Sequence, residues 1–397
     1  MNENKRLFEY FSKSSFYIKI AKFAAIILML VFSISCIISF RKDITIENIQ
    51  LLSRFISLDG SSSHYTDEFP VTVKEDSDVI MLRDNVAVIS NGNISLHDLS
   101  GRKLFSYNYS MSSPAVSCDD HYILVYDIGG SEATVFNSFS KIKTFKFDFP
   151  IYSADIKNDH IAVVTGNDLS RTVLYVYKFD NKEKDYVLRY SKQFDRFINS
   201  VSLTENGKQA FVSTISSVNG KYDCLLSVFD TDSTSSSPIL SYPSESELPV
   251  KVSISKNGAE LYAVTDSSLM FFGKNLQNIN TYHYNQNKIS GYYSNNSLIV
   301  LTERNNLAGN SMKLTVLSSD GTKVRDFTVS DEIYDVSIGK NFVYALGKNS
   351  VYRYAVAPDN IEQDSTSPID VKYHSVVCDT QDNCYLVSFT LVSKVTF

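Results

Sequence analysis

The chain has 397 residues, 43% of them hydrophobic and 21% charged, with 25 Tyr, 25 Phe and no Trp, and it carries a formal net charge of −6. That charge divides unevenly: residues 1–42 hold seven Lys/Arg against Glu3 and Glu9, while the remainder holds 31 basic against 42 acidic residues, a net of −11. An acidic body repels phosphate backbones, which excludes generic nucleic-acid binding, and the wealth of aromatic side chains favours strands, where they fit a half-buried pleated surface.

From the N-terminus, residues 1–22 form a basic leader. Residues 23–40, "FAAIILMLVFSISCIISF", run for 18 residues without a charge. At about 1.5 Å per residue a helix of that length crosses most of a hydrocarbon core of roughly 30 Å, so a single transmembrane helix is expected there. Five basic residues precede it and Arg41 and Lys42 follow. The positive-inside rule then places the leader in the cytoplasm and the C-terminal domain outside, as a single-pass signal anchor in the cytoplasmic membrane. Cys36 reads as a small apolar residue of this helix. Residues 41–68, with "DGSSSHYTDE", are polar and turn-rich and read as a linker.

Residues 69–397 repeat one order of events. "NVAVIS" starts at Asn85, followed by a turn, "ISLHD", a turn at Leu99-Ser100-Gly101, and "KLFSYN". Matching second strands start at His121, His160, Gln209, Glu260, Ser297, Asn341 and Asn383, on average about 43 residues apart, the period of a four-stranded propeller blade. A first strand precedes each of them: "VIML", "AVSC", "YSADI", "NSVSL", "KVSI", "ISGYY", "YDVSI" and "HSVVC". The expectation is an all-β chain, a β-propeller of seven or eight four-stranded blades with eight preferred. The last unit runs out of chain, so a closing strand is required from the N-terminal side, either "FPVTV" at 69–73 or "RFISL" at 54–58.

Most side chains with chemical potential have a structural reading. Asp98, Asp119, Asp180, Asp230 and Asp320 fall at turns, where a carboxylate accepts backbone N–H groups two residues on. His121 and His160 occupy equivalent turn positions. No Gly-rich phosphate loop, nucleophile elbow or His-Glu-x-x-His pair is present in the sequence, and no catalytic, cofactor-binding or metal-ligating residue is assigned. Three features stand out as candidates. Tyr282, Tyr284, Tyr292 and Tyr293, in "TYHYNQNKISGYY", are a candidate aromatic interface. Residues 233–249 form a long candidate binding loop. Cys378 and Cys384 bracket a turn-like "DTQDN", which makes a local disulfide conceivable.

With anchor and repeat in view, the chain resembles the membrane-anchored, uncharacterised β-propellers of Gram-positive, clostridial-type bacteria, which are similar in blade pattern to quinoprotein-like and WD40-like repeats. The likeness rests on the N-terminal anchor, the "FPV" segment before the first blade and "ISLHDLSGRKL" as a strand-turn-strand unit. It implies fold and location and carries no activity. The absence of Trp departs from both repeat types and speaks against quinone-dependent dehydrogenase chemistry. The expected function is a non-enzymatic scaffold for an envelope or membrane protein partner, without cofactor. A channel-sited enzyme, glycan-active or other, and a sensor of a small ligand are the alternatives.

Overall fold

The computed structural model describes residues 22–35 and 67–397, other than 234–236, 245–246, 256–257, 285–288, 296, 306–310, 358 and 371. It divides into two units, residues 1–63 and 64–397. In the first, residues 22–35 form a helix with every side chain exposed. The described helix covers residues 23–35 of the expected span over 23–40; it has 14 residues, about 21 Å at ~1.5 Å per residue. Among the described residues no helix is long and apolar enough to cross a membrane. The rest of the expected span, 36–40, lies outside the described residues, as do leader residues 1–21 and linker residues 41–66.

The second unit is a ring of eight four-stranded antiparallel sheets. Inner strands Asp78–Leu82, Pro114–Cys118, Ile151–Lys157, Phe197–Leu203, Pro249–Ile254, Ile289–Ser294, Ile333–Ile338 and Ser375–Cys378 belong to blades 1 to 8 in that order. Second strands such as "HIAVVTG", buried at every position, are covered on both faces by neighbouring blades. That double burial produces the continuous apolar runs seen in the sequence, whereas an outer strand such as Lys103–Asn108 is covered less and alternates.

Blade 8 is completed from the far end of the chain. Glu68–Pro70 pairs with Leu391–Val395, in the register Glu68↔Ser393, Phe69↔Val392 and Pro70↔Leu391. Backbone bonds from Val71 N–H to Thr390 O (3.0 Å) and Val73 N–H to Phe389 O (2.9 Å) extend the ladder. Of the two candidate closing segments, 69–73 does the work, and 54–58 lies outside the described residues. Phe69, 2% exposed, packs with Leu99 of blade 1 and with Tyr385, Val387 and Val392 of blade 8.

The third-to-fourth turns behave as their acidic residues require. Asp98 Oδ1 accepts Ser100 and Arg102 N–H at 3.1 and 2.9 Å. Asn137, Asp180 and Asp230 cap the equivalent turns of blades 2 to 4. Gly101 in the first of these turns has φ +84°, and a Cβ there would lie 2.5 Å from Phe69 Cβ. Gly101→Ala should therefore cost roughly 2 kcal/mol, from left-handed backbone strain and displacement of Phe69 together. Urea unfolding checks this; a loss below about 0.5 kcal/mol would show that the turn relaxes freely.

Candidate functional site

Propeller function is sited on three surfaces: the axial channel and the two faces. In the channel, each inner strand has one edge without a sheet neighbour, and its N–H groups need acceptors. The preceding blade supplies them. Ile156 N–H donates to Ser117 Oγ (3.2 Å), Val201 to Ser153 (3.3 Å) and Leu203 to the Asp155 carboxylate (2.8 Å). Val252 N–H donates to Ser200 (3.1 Å), Ile254 to Ser202 (3.3 Å) and Val376 to Asp335 (2.9 Å). These Ser and Asp side chains of "AVSC", "YSADI", "NSVSL" and "YDVSI" are the hoop that ties blade to blade.

The joint from blade 7 through blade 8 to blade 1 uses titratable groups. Burial pushes the Asp335 carboxyl up to about 6, against the pull of the Val376 and Val336 N–H groups and of His374, and with a further push from Asp78. Burial also raises Asp78, and the neighbouring His374 lowers it. The His374 ring meets Ser77 O at 2.7 Å, where the carbonyl accepts from Nε2–H.

The tyrosine expectation changes once the blades are in place, because the four side chains fill gaps between blades rather than forming an exposed patch. Tyr284 is buried and donates to Thr265 O. Tyr282, Tyr292 and Tyr293 are half-buried, with Tyr282 and Tyr292 packed against the cluster that joins blades 5 and 6 and Tyr293 against the one that joins blades 6 and 7. Their hydroxyls reach Glu303 (3.1 Å), Tyr262 (3.1 Å) and Tyr334 O (3.5 Å). Cys378 and Cys384 do face one another in register, but both are free thiols. Cys378 Sγ accepts from Ser337 Oγ of blade 7 at 3.2 Å, and Cys384 is packed in the cluster with Tyr344 and Val351, so each is engaged with the neighbouring blade.

Strand order places all second-to-third turns and all inner-strand starts on one face, here the entry face. Among the described residues, six large apolar side chains are exposed on it: Ile128, Leu169, Val218, Tyr222, Val250 and Tyr334. The second and third strands of blade 4, Gln209–Val218 and Lys221–Asp230, each have ten residues, while inner and outer strands pair with only part of them. Ser216–Asp223 therefore project beyond the sheet as a bare hairpin carrying Val218 (53% exposed) and Tyr222 (73%). Arg196 braces its base: Nη1 donates to Asp223 Oδ2 at 2.6 Å, Nη2 to Asp223 O and Nε to Thr214 Oγ1 at 2.9 Å. Leu169, 86% exposed, stands on the corresponding loop of blade 3. The sequence signal for this hairpin is Asn219-Gly220, whose φ values of +52° and +74° suit a two-residue primed turn.

On the opposite face, a cleft of about 640 Å³ runs between blades 4 and 5. Val228, Leu240 and Leu261 contribute its apolar surface and Lys208, Lys274 and Glu205 its charges. Ile239 and Leu240 line it, but the expected loop 233–249 is not loop throughout: Leu240–Ser244 pairs with Cys224–Val228 as the outer strand of blade 4, because its ladder completes the sheet.

Two solved structures share this architecture. BamB from Moraxella catarrhalis is 10% identical, with a TM-score of 0.52, covering 82% of this chain and 98% of BamB. Sqt1 from Saccharomyces cerevisiae is 9% identical, with a TM-score of 0.57, covering 83% of this chain and 98% of Sqt1. At such identities the likeness is one of fold. No curated protein matches the chain. Residues 61–376, well over half of the sequence, match the family of unknown function DUF5711, and the chain belongs to that family.

Proposed function

We propose that this chain is a non-enzymatic binding scaffold, held at the outer face of the cytoplasmic membrane by its N-terminal segment and offering the entry face of its propeller to a protein partner. The observation that carries this reading is the braced hairpin of blade 4 beside Leu169: large apolar side chains held out on a rigid support. A preorganised aromatic anchor loses little entropy on docking, which is why Tyr recurs at the energetic centres of interfaces. The channel carboxylates also favour binding over chemistry, since Asp155 and Asp335 are engaged by N–H groups of the next blade. The acidic body and the basic leader suit an extracytoplasmic domain on an inside-positive anchor.

In-cell crosslinking of the full-length chain tests the reading. Tyr222→Ser combined with Leu169→Ser is expected to weaken recovery of an envelope-protein partner by more than tenfold, the scale of a hot spot of roughly 2 kcal/mol. Thermal stability should stay within about 0.5 kcal/mol of the parent, because both side chains are exposed. Undiminished recovery of the same partner from the double variant rules out this face.

A further inference from the structure

In every blade the ladder between inner and second strand ends on a cross-strand pair beside the turn. In blades 4, 5 and 7 that pair is aliphatic: Leu203–Ala210, Ile254–Leu261 and Ile338–Val343. In blade 8 both members are cysteines, Cys378 and Cys384. Cys118 and Cys224 face Ile123 and Ser244, so neither has a thiol across its ladder. Packing is satisfied by two aliphatic side chains at this place; two thiols bring a chemistry that packing does not require.

The backbone sets the pair in bonding range. Asp379 N–H donates to Asn383 O at 3.1 Å, which makes 379–383 a hydrogen-bonded pair. The next pair in, 378–384, is then non-hydrogen-bonded, with Cα atoms about 4.5 Å apart and side chains at their closest. A disulfide spans Cα separations of roughly 4.4–6.8 Å. Directly opposed side chains share a face, and these two turn toward blade 7. Cys378 Sγ accepts from Ser337 Oγ at 3.2 Å, and Cys384, 2% exposed, packs with Tyr344 and Val351. Asp379 holds the register, since Oδ1 accepts the Gln381 and Asn383 N–H groups at 2.9 and 2.8 Å and Oδ2 accepts from Asn383 Nδ2 at 2.8 Å.

We propose that Cys378 and Cys384 are a disulfide site, joined under oxidising conditions across the first hairpin of blade 8, the blade in which the two ends of the ring meet. The oxidant is another disulfide, on a small thiol such as glutathione or on an oxidoreductase. The Cys378 thiolate attacks one of its sulfurs and expels a thiolate; the Cys384 thiolate then attacks Cys378 Sγ and expels the second. One S–S bond forms for one broken, the cysteine pair is oxidised, the other disulfide is reduced, and the two protons pass to the expelled thiolates. Burial pushes the Cys378 thiol up to about 11 and Cys384 well above its ordinary value, so the closed ring holds few thiolates. The bond therefore forms as the chain folds, before blade 8 packs on blade 7, and is shielded afterwards. Nothing in this depends on the entry face, so it stands apart from the scaffold reading.

The test is disulfide mapping of the full-length chain translated in vitro in a mixture of reduced and oxidised glutathione. Free thiols are capped with N-ethylmaleimide in urea, and trypsin releases residues 373–394 as one peptide, because Lys372 and Lys394 bracket both cysteines. That peptide is expected without maleimide and two hydrogens lighter than its reduced form. Chain completed in dithiothreitol and then moved to the glutathione mixture should gain the bond at least roughly tenfold more slowly. The linked ring should also resist urea better than the reduced ring, by about thirtyfold in the unfolding equilibrium, through loop-closure entropy. Cys384→Val, which installs the residue blade 7 has at Val343, should abolish that difference. Maleimide on both cysteines of the peptide, or a bond from either of them to Cys36, Cys118 or Cys224, overturns the inference.

Discussion

Phe69→Ala is expected to remove about 3–5 kcal/mol of stability, the cost of emptying a fully enclosed aromatic site. A typical domain has only about 5–15 kcal/mol in hand, so one substitution in a three-residue strand should bring the ring close to unfolding. The effect is large because Phe69 belongs to two joints at once: it completes blade 8 beside Val392 and Tyr385, and it abuts Leu99 and Gly101 of blade 1. Without it the closing strand keeps its backbone bonds but loses the apolar contact that seats them. Urea unfolding followed by far-ultraviolet circular dichroism measures the loss, and limited proteolysis should cut first near residues 67–77. A loss below about 1 kcal/mol would mean that the ring holds without its closing strand, and the closure account would fall.

Asp335→Asn is expected to change how stability depends on pH. Asp335 titrates near 6 in the folded chain because it is buried, against 3.8 as the ordinary value. A carboxyl raised in this way binds its proton more tightly when folded. Its contribution to stability is therefore fully present below the unfolded value and is lost as pH rises through about 6. The difference between acid and neutral conditions is about 3 kcal/mol, at about 1.36 kcal/mol per unit. Asn cannot ionise, yet its Oδ1 still accepts one N–H bond. The gap in unfolding free energy between parent and variant should thus shift in the variant's favour by about 2 kcal/mol from pH 4.5 to pH 7.5. A gap that stays level across that range would show that Asp335 is ionised at no special cost.

Which features were legible in the sequence follows from how local their causes are. Second strands such as "NVAVIS" and "HIAVVTG" are apolar throughout because blades cover both faces, and turns announce themselves through Asp98, Asn137 and Asp180, whose acceptors act within four residues. The closing strand was legible because the last blade lacked a partner and "FPVTV" alternates correctly. The tyrosines were not. Tyr292 is covered by Tyr262, thirty positions earlier, and only the curvature of the ring decides that contact. The grouping of Asp78, Asp335 and His374 escaped for the same reason, since closure alone brings blade 7 within reach of blade 1. The projecting hairpin was half visible: Asn219-Gly220 marks the turn, but the projection depends on where the flanking strands stop.

Closing a ring with its first strand also imposes a schedule. Glu68 and Ser393 are 325 positions apart, so the segment made first waits for the segment made last. At about 5–20 residues per second, the interval is on the order of tens of seconds. Through that time seven blades have a free flank, and the Phe69 strand has nothing to dock on. Pro70 lessens the hazard, because a residue without an N–H is a poor template for stray strand pairing. The ring is thus a late, all-or-none product of synthesis, and a chain cut short before Leu391 would leave blade 8 without its third strand and the Phe69 strand without its ladder.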